Sequence, residues 1–192
     1  MKKFANRDFI EIRNAEIKRG GSFCNFSGRA TGKNSEGSRN FTVYLDHCEI
    51  YICDGRTMRK KCDYSVDEMI QDGWNVKFDS YGINADDPRP MVQVQLSYGN
   101  PYFGDPKVAK VTSKQKFRVS EQDVGDLDTD EIARVSMTIR PRVWGDEERV
   151  KAYLRSLYVT IVEDDLDEAM SDIPWADSSE ESDGDDETVP FD

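Results

Sequence analysis

Five stretches of this chain alternate apolar and polar residues with a period of two, and nothing else in it restricts the fold as much. In "DFIEIRNAEI" Ile10 and Ile12 alternate with Glu11 and Arg13. In "NFTVYLD" Phe41, Val43 and Leu45 share one face, and Thr42 and Tyr44 the other. "MVQVQLSYG" sets Val92, Val94 and Leu96 against Gln93 and Gln95, and "ARVSMTIRPR" sets Val135, Met137 and Ile139 against Ser136, Thr138 and Arg140. "YLRSLYVTIVED" brings Leu157, Val159 and Ile161 into phase. Successive side chains of a strand point to opposite faces, so each stretch can bury one face and wet the other. Only "SVDEMIQDG" reads as a helix, with Ser65 as N-cap, Glu68 completing a capping box and Gly73 as a stop. Loops rich in Gly, Asn, Ser and Pro lie between, among them "SGRATGKNSEGSRN", "NADDPRP" and "GNPYFGDPK". The expected fold is mainly β: a small antiparallel Greek-key barrel of the open OB type, with one short helix and long loops. A jelly-roll-like or unrelated sandwich would satisfy the same strand count.

The alternation stops at Val162, and the charge changes with it. The chain of 192 residues carries a net charge of −12, but residues 163–192 hold fourteen acids and no Lys or Arg. Residues 1–162 keep 24 of the 38 acids and all 26 basic residues, a balance of +2. The acidic tail has too few apolar residues to offset the entropy of ordering it, so it is expected to be disordered. Two segments follow: a β-rich body, 1–162, and an acidic tail, 163–192.

No run of apolar residues is long enough to span a membrane, and "MKKFANRDFIEI" turns polar too early for a secretion signal. The expected location is the cytoplasm, with the four cysteines reduced. Cys48, Cys53 and Cys62, next to His47, raise the question of zinc. Their C-x4-C and C-x8-C spacings lack paired C-x2-C knuckles, and Cys24 lies far upstream, so small buried thiols are the expected reading. No cofactor is called for. The chain has one histidine, no phosphate-binding G-x-x-x-x-G-K-[ST] and no nucleophile elbow, which argues against an enzyme. Asp46, Asp54 and Asp63 near His47 are acids that in principle could hold Mg²⁺ in a nuclease, but such residues are too common to support that reading.

The basic residues of the body come in groups interleaved with aromatics. In "KVAKVTSKQKFRV" Lys110, Lys114, Lys116 and Arg118 fall on one parity, opposite Val111, Phe117 and Val119. As a single strand this would line up cations at roughly 6–7 Å, close to the phosphate spacing of an extended single strand. Arg29, Lys33 and Arg39 lie in a glycine-rich loop bracketed by Phe23, Phe26 and Phe41. Arg56, Arg59, Lys60 and Lys61 cluster in "GRTMRKKC". "IRPRVWG" interleaves Arg140 and Arg142 with Trp144, and "GNPYFGDPK" puts Tyr102 and Phe103 on a loop. Cations that follow a backbone and ring faces that stack on bases are the chemistry of sequence-tolerant single-strand binding. Tyr44, on the polar parity of its strand, joins the set. Lys and Arg on an exposed strand also guard it against edge-to-edge aggregation, so the argument rests on the repetition of groups.

The tail holds two similar triplets, Ile173-Pro174-Trp175 and Val189-Pro190-Phe191, in otherwise acidic surroundings. A proline-stiffened aromatic among acids suits docking into an apolar pocket with a basic rim. Tethered near a basic groove, the same acids would compete with a polynucleotide at high effective concentration.

"SDIPW" and "ETVPFD" resemble the tail tip of bacterial single-stranded-DNA-binding proteins, an acidic run followed by Ile-Pro-Phe. The body segments "NFSGRATGKNSEGSRNFTVYLD", "DGWNVKF", "KVAKVTSK" and "VKAYLRSLYVTIVEDD" are similar to a family of phage- and prophage-encoded proteins regarded as single-stranded-DNA-binding. The resemblance spans most of residues 8–165. It implies an OB-type barrel, cooperative coating of single-stranded DNA, and recruitment of replication or recombination proteins by the tail; a homodimer is compatible with it. One departure is that Asp192 follows Phe191, which moves the terminal carboxylate one residue away from the aromatic. An acidic DNA mimic that inhibits a host nucleic-acid enzyme, and an RNA-binding module, are the alternatives.

Overall fold

A computed structural model describes residues 1–163. The two apolar triplets of the tail and the acids around them lie outside the described residues. All five alternating stretches are strands: β1 (Phe9–Ala15), β3 (Arg39–Tyr44), β7 (Arg89–Leu96), β10 (Ile132–Trp144) and β11 (Arg149–Ile161). Shorter strands lie between them: β2 (Cys24–Asn25), β4 (Glu49–Cys53), β5 (Lys60–Asp63), β6 (Lys77–Asp79), β8 (Lys107–Val111) and β9 (Lys116–Val119). The one α-helix among the described residues is α1 (Val66–Gln71). The Ser65 side chain accepts from the Glu68 amide, Glu68 reaches back to the Ser65 amide, and Gly73 leaves the helix with φ +88°.

The strands form one sheet in the order β2-β3-β7-β11-β10-β1-β4-β5, with β6 added to β7 and the β8–β9 hairpin added to β11. Two pairings are parallel, which corrects the expectation of an antiparallel sheet. β11 has 13 residues and takes two neighbours end to end on one edge, β7 at Ala152–Tyr153 and β8 at Ser156–Thr160. The sheet does not close, because its path ends at β2 and β5. Near its C-terminal end β1 bends. Asn14 takes φ 60°, a conformation asparagine tolerates better than most residues, and the register against β10 slips between Ile12 and Ala15. The redirected chain then meets β3. Ile17 bridges Val43, the Lys18 amide donates to the Thr42 carbonyl, and the Tyr44 amide donates to the Glu16 carbonyl, both at 2.9 Å.

The apolar parity of the long strands is the core. Ile10, Ile12, Phe41, Val43, Val94, Val135, Ile139, Leu157 and Val159 are all completely buried, and Phe26 stacks on Phe41 with ring centres 5.0 Å apart. Each such side chain stabilises the fold by about 1.5–3 kcal/mol relative to exposure.

Two local features decide which polar residues share a face. In the β10–β11 pair, Thr138 opposes Ser156 while Ile139 opposes Leu154, so Arg155 is an extra residue. This bulge lets Leu154 and Leu157 both face the core and turns Arg155 outward, the re-aiming that bulges produce. The second feature overturns an expectation. "KVAKVTSKQKFRV" is not one strand but the β8–β9 hairpin, closed where the Thr112 amide donates to the Gln115 carbonyl at 2.9 Å. Lys110 opposes Phe117, whereas Val111 opposes Lys116 and Ala109 opposes Arg118. Lys116 and Arg118 therefore share one face, Lys110 lies on the other, and Lys114 sits in the turn; the single row of cations does not exist.

Candidate nucleic-acid interface

The outward parity of β10 and β11 gathers basic residues and rings on one face. Trp144 lies beside Arg149, Arg142 beside Lys151, Arg140 beside Tyr153, Ser136 beside Tyr158, and Arg134 beside Thr160. Thirteen residues at strand rise make a track of roughly 40 Å. Cations lie over its rings: Lys151 is 4.2 Å from the Trp144 centre, and Lys116 is 4.7 Å from that of Tyr158. Arg142 and Arg140 are 5.4 and 5.8 Å from Phe103, which stacks on Tyr153 at 5.1 Å. Across β10, Arg155 and Arg140 lie 4.3 and 5.5 Å from Phe9 of β1. Farther along the same face, Lys60 and Arg13 sit 3.9 and 5.3 Å from Tyr51 of β4. Each ring is half-exposed or exposed, so a base can approach it beside a cation, although at Tyr51 both Lys60 and Arg13 also pair with acids, Asp63 and Glu11.

Beside this track a cleft of about 970 Å³ opens between β10, the N-terminal segment and the loop that carries Tyr102 and Phe103. Its walls are built firmly. Lys2 Nζ donates to the carbonyls of Asp72 and Glu148, at 2.6 and 2.9 Å, and the Lys3 amide donates to Asp72 Oδ2. Asp72 also accepts from Tyr64 Oη, which accepts from Trp74 Nε1, and Phe4 packs edge-on against Trp74. The turn between β4 and β5 abuts the same segment so closely that a Cβ on Gly55 would lie 1.7 Å from the Arg7 carbonyl oxygen; only glycine fits there. On the other wall, Asn100 Oδ1 accepts from the Tyr102 amide and Asp105 Oδ1 from the Gly99 amide, while Arg140 Nη1 donates to the Phe103 carbonyl at 2.6 Å. Burial and the neighbouring Arg155 both depress the affinity of the Arg140 guanidinium for its proton.

The residues singled out from the sequence fall into three groups. Tyr102, Phe103, Arg140, Arg142 and Trp144 come together on the track and cleft, and Lys116 and Arg118 join at the Tyr158 end. A second group is already paired with acids: Arg39 with Glu121, Lys60 with Asp63, Lys61 with Asp8, and Lys110 with Asp130. Arg29, Lys33, Arg56 and Arg59 are exposed on loops and turns, with Lys33 5.9 Å from the Phe23 ring. Tyr44 is a correction. It is buried, its hydroxyl donates to Asp79 Oδ2 at 2.6 Å, and Arg89 covers its ring at 3.8 Å, so no base can reach it. Phe9, Tyr51, Lys151, Tyr153, Arg155 and Tyr158 were not singled out. The signal was present in "KAYLRSLY", where Lys151, Tyr153 and Arg155 repeat the alternation of Arg140, Arg142 and Trp144 one strand away.

All four cysteines are free thiols; Cys53 is buried, whereas Cys24, Cys48 and Cys62 are half-buried, which corrects the expectation of four buried thiols. Burial pushes Cys48 up to about 12 and Cys24 and Cys53 up to about 11, which lowers their reactivity as thiolates near neutral pH. Among the described residues no three His, Cys, Asp or Glu side chains gather into a group that could hold a metal, and no helix is long and apolar enough to cross a membrane.

Compared with known proteins, residues 9–190 match the family model described as "Putative phage ssDNA-binding domain". No curated protein and no solved structure matches the chain.

Proposed function

The chain belongs to the phage ssDNA-binding domain family, and from that membership we propose that it binds single-stranded DNA without sequence preference along the outer face of β10 and β11. The observation that carries this reading is the line of rings on and beside that face, with a Lys or Arg lying over Trp144, Tyr158, Phe103 and Phe9. Base stacking contributes about 1–3 kcal/mol per base and needs unpaired bases, so such a face discriminates against a duplex. The architecture we infer is a partly open barrel of OB type. In support, β1, β3, β7, β11 and β10 touch in a ring through the Ile17–Val43 bridge, with β7 and β11 parallel.

In this reading residues 1–162 are the binding body and residues 163–192 a recruiting tail. Its fourteen acids compete for the basic face until DNA displaces them, and Ile173-Pro174-Trp175 and Val189-Pro190-Phe191 then dock to proteins of phage replication or recombination. The chain acts by coating and protecting strands, with no catalytic step.

One titration tests the reading. Fluorescent oligo-dT is added to the full chain and to a truncation after Val162, at two salt concentrations. Both bind, the truncation more tightly, and both weaken as salt rises because bound phosphates release counterions. Equal affinity for a blunt duplex would reduce the face to a general cation surface, and degradation of the strand in Mg²⁺ would make the protein a nuclease.

A further inference from the structure

Within the outer face, Arg140 lines the cleft and Arg155 lies beside it over Phe9, and neither guanidinium is paired with a carboxylate among the described residues. Arg140 is half-buried, and while its Nη1 is satisfied by the Phe103 carbonyl, its Nε is buried without a hydrogen-bond partner among the described residues. Arg155, turned outward by the β11 bulge, covers the same Phe9 ring. The acids nearby are committed elsewhere. Asp8 Oδ2 accepts from the Ala5 amide at 2.9 Å and from Lys61 Nζ at 2.7 Å. Glu11 accepts from Arg13 and Cys53, and Glu148 lies 3.8 Å from Lys2. A buried donor left without a partner is costly, and two adjacent like charges add to that cost. An anion between them relieves both, and planar guanidinium forks suit the paired oxygens of a phosphate.

The mouth of the cleft adds a ring that folding does not explain. Tyr102 is 84% exposed on a loop whose backbone is held by Asn100 and Asp105, and it adjoins the stacked Phe103–Tyr153 pair. The cleft volume lies within the range of about 300–1,000 Å³ that encloses small organic ligands. We propose that this cleft is an anchoring subsite for one nucleotide of the bound strand, its phosphate bridging Arg140 and Arg155 above Phe9 and its base stacking on Tyr102. The anchor rests on the single-strand reading and adds to it: one position along the track grips both phosphate and base, while the rest of the face supplies sequence-tolerant contacts.

The test uses the full chain and fluorescence anisotropy with two probes of equal length, labelled oligo-dT and a labelled abasic strand. The variants are Arg140→Met, Arg155→Met and Tyr102→Leu, with Lys77→Gln, an exposed residue of β6, as the charge control. Loss of either guanidinium weakens binding of both probes about tenfold. Tyr102→Leu weakens oligo-dT about tenfold and leaves the abasic strand unchanged. Lys77→Gln stays within twofold of wild type on both probes. Thermal unfolding checks that each variant is folded; Arg155→Met and Tyr102→Leu suffice if Arg140→Met is not. If wild type binds oligo-dT and these two variants match it within twofold, the anchor is wrong and the outer-face reading stands. An equal effect of Tyr102→Leu on both probes removes the base from the subsite. Failure of wild type to bind oligo-dT at all overturns the single-strand reading and the anchor together.

Discussion

Tyr44 and Tyr158 show how little a residue's type says about its task. Both occupy the polar parity of a long strand. Tyr44 faces Asp79, Lys18 and Arg89 and is closed off from solvent, whereas Tyr158 is 41% exposed with Lys116 over its ring. Removing the Tyr158 ring (Tyr158→Ala) should weaken oligo-dT binding by about 1–3 kcal/mol, the worth of one stacked base. Tyr44→Phe should leave that affinity intact and lower stability by about 1 kcal/mol, because a buried hydrogen bond is lost without a cavity. Anisotropy and denaturant unfolding on the same two variants separate the roles. The sequence pointed to Tyr44 and passed over Tyr158 because parity names a face but not what covers it.

At the scale of elements, the β8–β9 hairpin decides which cations act together. Its turn at residues 112–115 brings Val111 opposite Lys116, so Lys116 and Arg118 face Tyr158 while Lys110 faces the other way and pairs with Asp130. The double variant Lys116→Glu/Arg118→Glu should therefore weaken oligo-dT binding at low salt by about 1–3 kcal/mol, with a shallower salt dependence. Lys110→Gln should leave both unchanged in the same assay. A single unbroken strand would have made all three equivalent, and the residues between the two strands carry no Gly or Pro to announce the turn. The β4 strand, "EIYIC", was open to reading, since Ile50 and Ile52 alternate around Tyr51; the bulge at Arg155 was not, because a bulge exists only relative to a partner strand.

For the whole molecule, the acid-sensitive point is where the chain beyond β1 reaches β3. Lys18, just beyond the Ile17–Val43 bridge, pairs with Asp79 of β6, which also accepts from Tyr44 of β3; Arg89 of β7 spans Glu16 and Asp46. Hydrogen bonds first from Lys18 and then from Tyr44 hold the Asp79 carboxyl well below the usual carboxylate range. A depressed carboxyl stabilises the fold above its unfolded-state value of about 3.9, and the contribution drains away as pH falls through that value toward the folded one. Stability measured by urea unfolding should thus drop between about pH 5 and pH 2, and Asp79→Asn should lower stability near pH 7 and flatten this acid limb. An unchanged limb in that variant would place the acid sensitivity elsewhere.

The sequence alone determined the five long strands, the buried face of each, the capped helix and the compositional division into a balanced body and an anionic tail. These are local matters: alternation, capping and composition depend on neighbours a few residues away, and the five long strands and α1 appear where such patterns predict them. Only the tertiary structure decided which cations and rings share a surface. Arg140, Arg155 and Phe9 meet because β10 lies between β1 and β11 and because one extra residue turns Arg155 outward, while Arg39, Lys60, Lys61 and Lys110 meet carboxylates distant or near in sequence. Pairing partners and register are settled by packing the whole core, and the charge left over for a ligand is whatever that packing leaves unpaired.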